Sequence, residues 1–223
     1  MDKSELLDAL RNMITDNKNE LFDEVIEKRT RHLTIIIENM FQEQNASAVI
    51  RTADCLGLQD VHIIENNNKL KINPDISLGS SKWMSIHQYY KNENNTIDCI
   101  RQLKEQGYTI AATSPHKDDM LISELPVENK TALLFGTELT GLSQTAMNEA
   151  DVYVKIPMFG FTESYNLSVS AGICMYDFIH RLKNSTVKWQ LSESEKTDIL
   201  YDWARKTIKR SDRVIENLLK DSK

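Results

Sequence analysis

Three short segments of the chain bring together small, hydroxylated and charged residues in patterns that could serve chemistry. In the segment running from Asn45 through Ala-Ser-Ala-Val-Ile to Arg51, an asparagine able to cap a helix precedes an arginine set among small and apolar neighbours. An arginine so placed is either buried against a carboxylate or turned toward an anion. The second segment, Leu134-Phe-Gly136-Thr137-Glu138-Leu-Thr-Gly141-Leu-Ser143, reads as a strand that ends in a glycine turn and leads into a helix. Glycines there let the backbone approach a ligand and present its amides, and Glu138 could bind that ligand or pair with Arg51. The third runs from Ile156 through Met158, Gly160, Ser164, Tyr165 and Asn166 to Leu167, again strand, loop and helix. Ser164 or Asn166 can cap that helix, and Ser168, Ser170, Ala171 and Gly172 keep its first turns narrow. Each segment also has an ordinary structural reading: an ion-paired arginine, a turn with a cap, and a tightly packed helix.

Familiar cofactor and hydrolase motifs are missing. With seven glycines there is no Gly-x-Gly-x-x-Gly turn, which speaks against a standard dinucleotide site. Gly136, Gly141 and Ser143 have the spacing of a phosphate-binding loop, but Leu142 stands where that loop needs lysine. Nor is there a Gly-x-Ser-x-Gly elbow or a His-Glu-x-x-His helix.

The elements that must position the three segments follow from hydrophobic period. Short β-branched or apolar runs at Leu33 to Ile37, Val61 to Ile64, Ile86 to Tyr90, Tyr108 to Ala112, Leu133 to Phe135 and Val152 to Ile156 predict strands. Helices are predicted between them: from an Asn45 cap to Gly57, from Thr96 to Gln106, and after a Ser143 cap. Asn166 to Leu182 reads as a long helix, and Lys183 to Ser192 as a linker. Alternation of this kind makes an α/β chain with a mainly parallel sheet covered on both faces, where ligand sites fall at the strand ends. Ser4 to Arg31, with Ser4 as cap, and Thr197 to Leu219 show helical spacing without sheet pattern. Residues 1–32 and 183–223 are therefore expected to be helical extensions of a core at 33–182.

A 223-residue chain of 40% hydrophobic and 27% charged residues suits one sizeable core. It shows neither a bilayer-length apolar stretch nor the order of a signal peptide, so a cytoplasmic protein that spans no membrane is expected. Cys55, Cys99 and Cys174 are isolated and lack metal spacing, which predicts buried reduced thiols and no metal site. The net charge of −6 disfavours indiscriminate coating of nucleic acid. Two basic runs remain, Lys28, Arg29, Arg31 and His32 near the start and Arg205, Lys206, Lys209, Arg210 and Arg213 near the end; each is either a solvated helix face or a local RNA contact.

Taken together and in order, the three segments resemble the three signature motifs of the SpoU (TrmH-type) RNA 2′-O-methyltransferases of the SPOUT superfamily. The likeness spans about Leu33 to Leu182 and includes Leu78-Gly-Ser-Ser-Lys-Trp. It implies a sheet whose C-terminal part forms a trefoil knot, S-adenosylmethionine held in the knotted loops, and a homodimer with its active site at the subunit interface. It also implies methyl transfer to a ribose 2′-hydroxyl of structured RNA, with the terminal helices pointing to a D-loop guanosine of tRNA. Another RNA position, or a catalytically silent RNA-binding protein on the same fold, is the alternative. By resemblance Arg51 is catalytic, with Asn45, Glu138, Ser164 and Asn166 completing the site. The cofactor falls to Thr113, Gly136, Thr137, Gly141, Ile156, Met158, Tyr165 and Leu167, and RNA to Lys28, Arg29, Arg31 and Arg181. Tyr165 stands where the family usually has leucine.

Overall fold

The computed structural model describes residues 1–67, 70, 79–114 and 120–221, so Leu78 of the Leu78-Gly-Ser-Ser-Lys-Trp stretch lies outside the described residues. Two helices, α1 (Lys3–Arg11) and α2 (Asp16–Ile26), lead into β1 (Leu33–Glu38), α3 (Glu43–Cys55), β2 (Asp60–Ile64), β3 (Ser85–Tyr89), α4 (Asn95–Glu105) and β4 (Thr109–Thr113). Then come β5 (Met120–Leu121), β6 (Thr131–Phe135), α5 (Gln144–Glu149), β7 (Val152–Lys155), α6 (Leu167–Lys183), α7 (Glu193–Thr207) and α8 (Ser211–Asp221). These elements form two compact units, Thr30–Trp189 and a second made of Met1–Arg29 with Gln190–Lys223.

In the larger unit seven strands form one sheet in the order β3-β2-β1-β6-β4-β7-β5, every described pair parallel. All six residues of β1 are buried, as a central parallel strand covered on both faces requires. On one face Leu33, Ile35 and Ile37 pack with Ala46, Val49, Ile50 and Ala53 of α3 and with Cys174, Met175 and Phe178 of α6. On the other, Ile36 meets Cys99, Ile100 and Leu103 of α4 and Ala146 of α5. The α3 residues recur at helical spacing, which fixes the opposite side of that helix as its exposed face. Cys55 lies there and is exposed, contrary to the expectation of three buried thiols; Cys99 and Cys174 are buried and all three are free. The two-residue β5 is too short to carry a period that sequence could reveal.

Asn45 does not cap α3. The helix starts at Glu43 after Gln42, which makes no side-chain capping bond, and Asn45 sits in the first turn with its amide directed elsewhere. Ser143 and Asn166 do cap, accepting from Ala146 N, and from Ser168 N and Val169 N.

In the smaller unit the expected single first helix is two. Asp2, not Ser4, caps α1 in a reciprocal pair with Glu5. The chain turns at Asn12 to Thr15, where Asn19 Nδ2 donates to the carbonyls of Arg11 and Ile14 and satisfies helix-end acceptors. The last helix is likewise divided, because Ile208 is extended and Arg210 takes φ +57. Leu10, Phe22, Ile26, Ile199 and Trp203 form the buried interior of this unit, with Phe22 and Trp203 ring centroids 5.4 Å apart.

A polar cluster at the β2–β3 edge makes stability pH-dependent. The His62 ring stacks on His87 at 4.6 Å, and its Nδ1 lies 3.1 Å from the Tyr89 hydroxyl. Burial, reinforced by the His87 charge and opposed by Asp60, pulls His62 from 6.5 down to about 3. The unfolded chain therefore binds a proton between those values that the folded chain refuses. Stability is complete above pH 6.5 and declines as pH falls through that window. Asp60 acts in a lower range. Its burial penalty is outweighed by the His87 hydrogen bond and the Arg31 charge, so its contribution persists until pH drops below its unfolded value of 3.8. Urea unfolding at pH 7 and pH 5 should show a loss of roughly 2 kcal/mol at the lower pH, and His62→Gln should remove most of the difference.

Candidate functional site

The carboxyl ends of β4, β6 and β7, with the loops that follow, enclose a cavity of about 420 Å³. Its size is within the range of small-molecule sites, which run from about 300 to 1,000 Å³ and combine apolar walls with a few placed polar groups. Thr113, Gly136, Thr137, Gly141, Ile156, Met158, Tyr165 and Leu167 all line it. So do Ser114, Leu142, Met147, Val154 and Cys174, which the motifs did not pick out although several flank them directly. Burial pushes the Cys174 thiol up to about 12, so it is a protonated, non-nucleophilic wall group.

The glycine loop after β6 curls back on itself. Thr137 and Gly141 exchange two main-chain hydrogen bonds of 3.0 Å, and the Thr137 and Thr140 hydroxyls lie 2.7 Å apart. Across the loop's outer side, Glu138 gathers the polar residues of the other two motifs. Its Oε1 accepts from Asn166 Nδ2 at 2.6 Å, Asn45 Nδ2 at 3.0 Å and Leu167 N at 3.3 Å. Three segments far apart in sequence thus meet on one carboxylate. Ser164 lies exposed at the cavity and makes no hydrogen bond among the described residues. The Tyr165 hydroxyl reaches back to the Pro157 carbonyl at 3.4 Å, tying the two ends of the third loop.

Arg51 stands apart. It is exposed on α3, has no hydrogen-bond or ion-pair partner among the described residues, and is not in the cavity wall. The sequence left open pairing with a carboxylate such as Glu138; the structure shows no such pair. Arg51 instead lines a separate hollow with Thr52, Cys55, Gly172 and Tyr176, between α3 and α6. A guanidinium left unpaired and accessible is suited to an anion.

The expected RNA contacts fare unequally. Arg29 is 3% exposed, its guanidinium 5.5 Å from the Trp203 ring, so it belongs to the interior of its unit and is no surface contact. Arg181 pairs with Asp177 and donates to the carbonyls of Leu125 and Ile122, a structural clamp on α6. Arg31 is paired with Asp60 at 2.8 Å, whereas Lys28 is exposed and, among the described residues, paired only with Glu24 one helical turn away. In the second basic run Arg205 pairs with Asp212 and Lys206 with Asp202. Among the described residues no helix is long and apolar enough to cross a membrane, and no group of His, Cys, Asp and Glu side chains could hold a metal.

The parallel sheet, the loops at its carboxyl edge and the three motifs that meet there define the class: the chain belongs to the SpoU rRNA Methylase family, whose sequence profile matches residues 32–176. Within that family it is similar to the tRNA (guanosine(18)-2′-O)-methyltransferase of Borreliella burgdorferi, 46% identical over 211 residues that cover 95% of this chain and 94% of the relative. The enzyme of the same name from Thermus thermophilus is 31% identical over 198 residues, covering 86% and 98%. The crystal structure of the A. aeolicus TrmH/SpoU tRNA modifying enzyme superposes with a TM-score of 0.77 at 31% identity, covering 87% of this chain and 98% of that one.

Proposed function

We propose that this protein transfers a methyl group from S-adenosylmethionine to a ribose 2′-hydroxyl in tRNA, at guanosine 18 of the D-loop. The observation that carries this reading is the cavity beside the Asn45–Glu138–Asn166 cluster, in a chain 46% identical to a relative bearing that activity's name. The wall chemistry fits the cofactor. Leu142, Ile156, Met158 and Leu167 offer apolar surface to an adenine ring, and Thr113, Thr137 and the loop's main chain offer polar edges. S-adenosylmethionine supplies a methyl group on cationic sulfur, open to displacement by an oxygen nucleophile.

The burdens left to the protein are alignment of the 2′-oxygen and disposal of its proton. Arg51 is a poor base, because a guanidinium is effectively always protonated. It holds the adjacent RNA phosphate and favours the oxyanion electrostatically, while an RNA oxygen or water accepts the proton. Asn45, Glu138 and Asn166 hold the loops in register, and the free Ser164 hydroxyl faces the incoming ribose. Lys28 and Arg31 remain candidate tRNA contacts, and the terminal segments 1–32 and 183–223 choose the substrate.

The assembly that suits this chemistry is a cytoplasmic homodimer whose sheet carries a trefoil knot near its C-terminal end. Two observations support a second copy at the site. Phe41, Leu139, Phe159 and Phe161 are almost wholly exposed on the segments that bear Asn45, Glu138 and Ser164, an apolar surface that calls for cover. Arg51 lies outside its own protomer's cavity wall, so a partner's cavity is where it can serve.

The test is incubation of the purified protein with labelled S-adenosylmethionine and unmodified tRNA or ribosomal RNA, followed by mapping of 2′-O-methyl nucleotides. Label at guanosine 18 of tRNA is expected. Label only in ribosomal RNA would reassign the substrate, and cofactor binding without transfer to either would make the chain a silent RNA-binding module.

A further inference from the structure

Glu38 ends β1 on the α4–α5 side of the sheet, and its carboxylate is 1% exposed. Among the described residues no cation pairs with it. Instead Oε2 accepts from Ser143 N at 2.8 Å, while Oε1 accepts from the Ser143 hydroxyl at 2.7 Å and the Thr96 hydroxyl at 2.6 Å. Each hydroxyl is then used a second time. Ser143 Oγ accepts from Ala146 N at 3.1 Å, capping α5, and Thr96 Oγ1 accepts from Asn66 Nδ2 at 2.8 Å. A buried carboxylate without a counter-ion is tolerated here because three donors point at it and Thr96 lies in the first turn of α4, where the helix dipole is positive.

None of these residues touches the cavity. Ser143 nevertheless directly follows Gly141 and Leu142, which do. Two anchors therefore fix the glycine loop: β6 holds its start at Phe135, and Glu38 holds its end at Ser143. We infer that Glu38 is a positioning residue for cofactor binding, setting the shape of the Gly136–Leu142 wall through Ser143. This rests on the reading of the cavity as the S-adenosylmethionine site.

Glu38→Gln probes the role at constant size. A glutamine carbonyl can replace one carboxylate oxygen, but its amide group must then face either the Ser143 N–H or the two hydroxyls that now donate. The first orientation loses the Ser143 N–H bond, and the second forces the hydroxyls to accept and leaves their own protons without the carboxylate, so the loop's end is held less firmly in either. Titration calorimetry with S-adenosylmethionine should show binding weakened about tenfold in Glu38→Gln and less in Ser143→Ala, which keeps its main-chain donor. Ser143→Thr, which retains the hydroxyl, should bind within about threefold of wild type. Hydrogen exchange at Gly141 to Ser143 should accelerate in Glu38→Gln, while tRNA affinity stays unchanged. A folded Glu38→Gln protein with wild-type cofactor affinity would overturn the inference. If that variant does not fold, equal affinities of Ser143→Ala and Ser143→Thr would overturn it. A wild-type chain that binds no S-adenosylmethionine would remove the cavity reading, and unchanged exchange at Gly141 to Ser143 would then sink the positioning role separately.

Discussion

Arg51→Ala is expected to lower methyl transfer by roughly 100- to 1,000-fold in kcat, the size of effect seen when one preorganised charge or donor is taken from a developing oxyanion. The reason is its isolation. Asn45, Glu138 and Asn166 are engaged with one another, whereas Arg51 is exposed and has no partner among the described residues. Its removal leaves no buried group unsatisfied, so the melting temperature should barely move, as for surface substitutions within about 0.5 kcal/mol. S-adenosylmethionine affinity should also hold, since the group proposed for Arg51 to grip is the RNA phosphate and not the cofactor. Arg51→Lys should be nearly as damaging, because a point charge cannot reproduce the planar fork that grips a phosphate. Single-turnover kinetics with saturating cofactor, set beside calorimetry and thermal melts, separate these effects. A lysine variant with near-normal turnover would rule out a bidentate role and with it the mechanism proposed above.

Local pattern revealed the sheet because its strands are concentrated β-branched runs and its helices bury residues at the ordinary spacing. The eight residues assigned to the cofactor by motif likeness all line one cavity, because parallel topology brings the ends of β4, β6 and β7 side by side. What stayed hidden depends on distance in sequence. By local pattern Asn45 is a helix cap, yet its amide is committed to Glu138, 93 residues away. Arg29 and Arg181 are expected RNA contacts by sequence, and only the fold shows one against Trp203 and the other donating to the carbonyls of Ile122 and Leu125. The helix breaks near Thr15 and Arg210 carry no glycine or proline, so nothing in composition marks them. Glu38 is silent in the sequence for the same reason, since a lone acid at the end of a strand acquires its meaning only from Ser143, 105 residues on.

Gly136→Ala should abolish cofactor binding, with affinity falling at least about 100-fold as the wall of the site is forced open. A Cβ at Gly136 would lie 2.2 Å from both the carbonyl carbon and the oxygen of Gly141, and 2.4 Å from Leu142 N. These are main-chain atoms, so no side-chain rotation relieves the clash. The loop must instead give up the paired Thr137–Gly141 hydrogen bonds, which together contribute about 2 kcal/mol. Gly141→Ala is the informative contrast. Gly141 has φ +67, but a Cβ there meets nothing within 4 Å, so only the left-handed backbone preference is lost, about 1–2 kcal/mol. Its cofactor affinity should weaken by no more than about tenfold. Gly136→Ala also tests the shared site, since it disables the cavity while leaving Arg51 intact. In the proposed homodimer, mixing it with Arg51→Ala subunits would give heterodimers that unite one sound cavity with one sound arginine, and roughly a quarter of wild-type activity should return. Two inactive variants that stay inactive on mixing, despite exchanging subunits, would place Arg51 and the cavity it serves in the same protomer.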